Sequence, residues 1–217
     1  METLTLEQKT IESKWWRIAL SLSVLTIVYN IVEGLVSVYF GSEGEALTLF
    51  GFGIDSFIET ISATGIYIMI RRIRLHGSDQ RSSFEKSALK ITGWGFYALT
   101  ITLLIGAALS FINQHNPVTT LPGIIISAIS IISMWALIYI KKKTGKILQS
   151  DAIIADANCN LVCLYMSVIL LFSSLLYTST GIGWFDGLGA IGLAWFSFSE
   201  GKEAFEKAKG KECSCHS

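Results

Sequence analysis

Two pairs of side chains stand where a lipid-embedded stretch would be expected to be apolar throughout. Asp55 and Glu59 lie in one hydrophobic run, Cys159 and Cys163 in another. Each pair is spaced i, i+4, so each projects from one face of its own helix. A carboxylate at mid-membrane depth is costly to bury and marks an ion path or a binding site. Two acids from one helix and two thiols from another make a four-ligand set for a divalent metal. Such a set gives the tetrahedral O2S2 shell that Zn²⁺ accepts, and its sulfurs favour softer ions such as Cd²⁺. Mg²⁺ and Ca²⁺ prefer more ligands, nearly all of them oxygen, and match poorly. A thiol must shed its proton to ligate, so metal binding releases protons. That linkage suits a proton-driven exporter in which low external pH protonates the site and ejects the metal.

The elements that must position these residues are long apolar segments. Apolar residues make up 51% of the 217, charged residues only 16%, and the mean hydropathy is +0.53. A soluble domain carries about 25% charge, so a membrane protein is expected. Stretches near 16–40, 45–70, 88–113, 120–140, 150–177 and 183–205 are each long enough to cross a bilayer, which takes about 20 residues. The second, fifth and sixth are the least uniformly apolar. The only prolines, Pro117 and Pro122, fall at the third-to-fourth connection and the start of the fourth span.

Charge sets the orientation. All 17 lysines and arginines fall on one side of this map, before span one, around the second-to-third loop, in the fourth-to-fifth loop and after span six. The loops at 41–44, 114–119 and 178–183 contain none. The positive-inside rule then puts both termini in the cytoplasm, in a cell membrane of inner or plasma type. Trp15, Trp16, Trp94 and Trp184 fall near the expected interfaces. Zero formal net charge argues against a nucleic-acid partner. The N-terminal stretch has no signal-peptide cleavage pattern, and the four cysteines lack the spread of a secreted disulfide framework.

Depth links the two pairs. Glu59 and Asp55 precede Arg71 by 12 and 16 residues; Cys159 and Cys163 follow Lys146 by 13 and 17. At about 1.5 Å per residue, both pairs sit roughly 18–26 Å from the cytoplasmic charges. A structural reading would pair the acids with a buried cation, but every lysine and arginine on this map lies outside the span interiors. A cysteine can also pack as a small hydrophobe.

Other polar residues gather around this layer. Asp156 shares a face with Cys159, Asn160 and Cys163, one turn nearer the cytoplasm, where it could ligate, admit the ion or anchor a hydrogen bond. Asn30 and Glu33 lie about mid-depth in span one, and Glu33 suits proton relay or support of the ligands. Asp151 follows Ser150 where a helix cap belongs. Asp186 and Glu200, near the ends of span six, read as interface residues. Glycines and alanines of spans three and six permit close helix approach. The tail Cys213-Ser214-Cys215-His216 could capture a thiophilic metal or be an unstructured end. No nucleophile–base pair or nucleotide motif suggests an enzyme, and no cofactor is implied.

These segments together resemble the cation diffusion facilitator family. The resemblance is carried by Gly53-Ile54-Asp55-Ser56-Phe57-Ile58-Glu59, with the family's acid–x3–acid pattern. Pro122 to Lys146, including Met134-Trp135 and Lys141-Lys142-Lys143-Thr144-Gly145-Lys146, is also similar. So are Ser150-Asp151-Ala152 to Ala155-Asp156-Ala157, and Trp184-Phe185-Asp186-Gly187 to Glu200-Gly201. It implies proton-coupled efflux of a divalent transition metal by alternating access, usually as a homodimer. Family zinc exporters carry His–x3–Asp or Asp–x3–Asp where this chain has Cys159 and Cys163, which shifts the expected cargo toward Cd²⁺, Pb²⁺ or Hg²⁺. The family's cytoplasmic domain after span six and the histidine-rich loop of some members are not expected here.

The expectation is therefore an all-α membrane protein with six transmembrane helices. It comprises a cytoplasmic segment 1–15, a transport domain 16–205 resembling the cation-efflux transmembrane domain, and a Cys/His tail 206–217. Its partners would be a divalent cation, protons, the lipid bilayer and a second copy. Asp55, Glu59, Cys159 and Cys163 would ligate the metal. Asp156, Asn160, Asn30 and Glu33 would admit the ion or support the ligands. The alternatives are a membrane sensor or chaperone acting through Cys213, Cys215 and His216, and a structural membrane partner that binds no metal.

Overall fold

Long apolar runs uninterrupted by proline fold as helices, because lipid leaves backbone groups no partners but their own. The computed structural model describes residues 6–43, 47–76, 81–113, 121–180 and 185–210. It contains α1 (Leu6–Glu43), α2 (Leu47–His76), α3 (Arg81–Asn113), α4 (Leu121–Leu148), α5 (Asp151–Thr180) and α6 (Phe185–Ala208). Pro122 falls in the first turn of α4, where a missing N–H costs nothing. α1 begins at Leu6, ahead of the first span expected from 16.

The helices close a ring in the order α1–α2–α3–α6–α5–α4, with α2 and α3 also touching α5 across the middle. Polarity runs from inside to outside in the reverse of a soluble protein. Val24, Leu25, Val28, Val32, Leu104, Ile105, Ile129 and Ile132 are exposed, whereas Thr26, Asn30, Glu33, Asp55, Glu59, Thr92 and Asp156 are buried. Lipid would cover such an apolar exterior, and polar side chains are then kept for the bundle interior. Among the described residues, four helices contain stretches long and apolar enough to span: Glu12–Phe40, Arg81–Leu109, Ile124–Leu148 and Asp151–Ile169. In composition α2 and α6 differ, because their windows carry Asp55, Glu59, Glu200 and flanking basic residues.

Buried residues recur at alternating three- and four-residue steps. On α1 they are Ala19, Ser23, Thr26, Asn30, Glu33 and Ser37; on α2, Phe52, Asp55, Glu59, Ser62, Ile66 and Met69. This seam spacing brings neighbouring helices together at shallow angles. Gly34 and Gly53 let α1 and α2 approach closely. A Cβ on Gly53 would stand 2.9 Å from the Gly34 carbonyl oxygen and 2.9 Å from the Val38 nitrogen.

The α4–α5 turn corrects the map drawn from hydropathy. Instead of ending near residue 140, α4 carries Lys141 to Lys146 on its last turns. Gln149 has φ 48°, and Ser150 N–H bonds to Gly145 O at 2.9 Å, a left-handed C-terminal closure. The Arg81 guanidinium donates to the carbonyls of Leu148 and Gln149, satisfying the end of α4 from the start of α3. α5 begins at Asp151 as expected, but the Asp151 carboxylate lies 3.5 Å from Lys207 Nζ on α6.

Trp16 is buried, with its indole N–H on Glu12 at 3.2 Å and Arg81 over its ring. Trp94 is exposed and packs edge-on against Phe205. Cys213, Cys215 and His216 lie outside the described residues, as does Trp184.

Candidate metal centre

Asp55 and Glu59 occupy the α2 seam, one turn apart, facing the bundle interior. Across from them α5 presents Cys159 and Cys163. All four are at most 1% exposed, and the two cysteines are free thiols. α2 and α5 pack against one another, so the acids and the thiols are buried on contacting helices.

The four do not form a closed shell. Among the described residues no group of three or more His, Cys, Asp and Glu side chains is gathered tightly enough to hold a metal ion. Local partners hold them apart. Asn30 Nδ2 donates to Glu59 Oε2 at 3.0 Å, drawing that carboxylate toward α1. Cys159 packs with Ile58, Phe96, Leu99 and Val162, whereas Cys163 packs with Leu22, Phe52, Met134 and Leu137. Both thiols therefore also serve as small hydrophobes.

Asp55 is the outlier. Its carboxylate faces the Cys163 thiol, but neither oxygen accepts a hydrogen bond of ordinary geometry, and Glu59 Oε1 accepts none either. Buried polar atoms are almost always paired, and an unpaired carboxylate is costly. Three buried carboxylate oxygens, on residues one turn apart on α2, are without donors, an arrangement that a cation would satisfy.

Around this core the polar residues form two separate sets. Glu33 has two donors, Tyr29 Oη at 2.8 Å to Oε1 and Ser56 Oγ at 3.0 Å to Oε2. Asp156 accepts from Ser62 Oγ at 2.7 Å, and Ser62 in turn contacts Thr92 Oγ1 at 3.0 Å. Asp156 Oδ2 lies 2.7 Å from Lys141 Nζ, and Lys141 also donates to Asn160 Oδ1. Glu200, read as an interface residue, is half-buried and accepts from Asn158 Nδ2 at 2.7 Å. Asp186 falls where no side chain is described.

Lys141 overturns one expectation directly. It is no loop residue but a buried ammonium, 2% exposed, on the inner face of α4. The seam Ser127, Ser130, Met134, Leu137, Lys141, Thr144 and Leu148 is buried throughout. Its three-four spacing singles out Lys141 from Lys142 and Lys143, and the signal was present in the sequence. A buried cation next to the acids therefore exists, and it is spent on Asp156 rather than on Asp55.

Comparison with known proteins adds one match. The family model for the cation efflux transmembrane domain covers residues 19–208 of this chain. That range contains all six helices apart from the first turns of α1, and every candidate ligand except the tail residues. No curated protein matches the chain.

Proposed function

Since the chain belongs to the cation efflux family, which makes it a multi-pass membrane cation transporter, we propose that it exports a divalent heavy metal from the cytoplasm in exchange for protons. Zn²⁺ and Cd²⁺ are the primary cargo of this reading, and Pb²⁺ or Hg²⁺ would be further thiophilic substrates. The observation that carries it is the set of donor-free oxygens on Asp55 and Glu59, buried opposite two thiols. Oxygen and sulfur donors together select a borderline or soft ion over Mg²⁺ or Ca²⁺.

The steps follow from these residues alone. A cation arriving between α2 and α5 draws Glu59 from Asn30 and the thiols from their apolar pockets, and their protons leave. The ion then bridges two helices that otherwise only pack, which gives binding a means of shifting one against the other. Protons arriving from the far side neutralise the same oxygens and sulfurs and release it.

Direction and assembly belong to the same proposal. Seventeen basic residues on one side support cytoplasmic termini and a cell-membrane location. The homodimer is carried over from the family resemblance, and cross-linking in the membrane tests it. Cd²⁺ or Zn²⁺ uptake into inside-out vesicles under an imposed pH gradient tests the function itself. Asp55→Ala should abolish uptake; undiminished flux would remove the proposal.

A further inference from the structure

Directly beneath the donor-poor acids lies a layer in which each buried side-chain nitrogen and oxygen has a partner. Ser62 and Asp156 each sit three residues toward the basic-loop side of Glu59 and Cys159, on α2 and α5. That is about 4.5 Å along each helix. Thr92 from α3, Ser62 from α2, Asp156 from α5 and Lys141 from α4 join in one chain of contacts, at 3.0, 2.7 and 2.7 Å. Asn160 accepts a further hydrogen bond from Lys141, and its amide donates to Met134 Sδ at 3.6 Å. Both oxygens of Asp156 are taken, one by a hydroxyl and one by the ammonium. Four helices are tied together at this single level.

A purely structural tie would not need charges. Well-packed apolar residues of similar volume usually serve stability as well as a buried ion pair or better. Among the described residues Lys141 is the one buried lysine or arginine, and its ammonium sits on the acid nearest the basic-loop side of the candidate centre. A cation approaching Glu59 from that side meets Asp156 first and finds it already holding a cation on a tether.

We propose that the Lys141–Asp156 pair, braced by Ser62 and Asn160, is the inner gate of the cation path. The tethered ammonium holds the position that the cargo must take at Asp156. An arriving divalent ion displaces it, and withdrawal of Lys141 parts α4 from α5 and admits the ion to the Asp55–Glu59 layer. Lys141 is thus a positioning residue for transport and not a ligand. This inference rests on reading the α2–α5 gap as the path.

Thiol labelling tests the gate without requiring flux, so its failure is separable from failure of the transport proposal. In the full-length protein carrying Cys163→Ser, Cys213→Ser and Cys215→Ser, Cys159 is the sole thiol, one turn beyond the gate. A charged, membrane-impermeant methanethiosulfonate is applied to either face of oriented vesicles. Asp156→Asn and Lys141→Gln should each accelerate labelling of Cys159 at least about tenfold, equivalent to about 1.4 kcal/mol, and only from the basic-loop face. Ser62→Ala, which removes the hydrogen bonds to Asp156 and Thr92 but no charge, should give a smaller acceleration from the same face and guards against misfolding of the charge variants. Lys141→Arg should keep the thiol protected. Parental labelling rates in these variants would overturn the gate, and so would equal acceleration from both faces, the signature of a merely loosened bundle.

Discussion

Asp55 is buried with neither oxygen hydrogen-bonded, so it costs stability, and in the proposed function it repays that cost when a cation arrives. Its replacement should therefore move stability and binding in opposite directions. Asp55→Asn should weaken Zn²⁺ or Cd²⁺ binding about a hundredfold or more, equivalent to about 2.8 kcal/mol. Without metal the same variant should be at least as stable as the parent, because a neutral amide loses less on burial than a carboxylate. Thermal unfolding in detergent with and without metal, beside calorimetric titration, reads both signs. Lys141 behaves differently, since its partner is left charged when it goes. Lys141→Met should cost about 3–5 kcal/mol. Lys141→Met with Asp156→Leu should recover most of that loss, and a double-mutant cycle by denaturation measures the coupling.

At the scale of the helices, the α1–α2 crossing decides where the acids stand. Gly53 precedes Asp55 by two residues and touches α1 backbone, so an added methyl must push the helices apart. Gly53→Ala should destabilise by about 1–3 kcal/mol and weaken metal binding with it. Gly106→Ala, with nothing within 4 Å of the new methyl, should stay within about 0.5 kcal/mol of the parent. Side-by-side unfolding curves check the contrast. The six helices were legible because apolar runs without internal proline have few alternatives in lipid. The contact between α2 and α5 was not legible in the same way, because loop charges measure only depth from a common plane and depth does not tell which way a helix face turns. The inward turn of Lys141 was missed for a physical reason: counting charges by side ignores helix rotation, and the seam from Ser127 to Leu148 carries that information. The spread of the four candidate ligands could not be read, since it depends on Asn30 of α1 reaching Glu59 of α2.

For the whole molecule, an apolar exterior and a polar, partly donor-free interior make the bundle a container for charge. Cation binding at acids and thiols must displace protons. Titration of Zn²⁺ in two buffers of unequal ionisation enthalpy should give apparent heats that differ, with proton release falling in Cys163→Ser; identical heats would exclude the exchange. The most direct measurement is X-ray absorption on Zn²⁺ bound to protein carrying Cys213→Ser and Cys215→Ser, which leaves only the α5 thiols. The account predicts a four-coordinate shell with two sulfurs at about 2.3 Å and two oxygens at about 2.0–2.2 Å, lost in Asp55→Asn. A stoichiometric shell of oxygen and nitrogen without sulfur would contradict a site shared between α2 and α5.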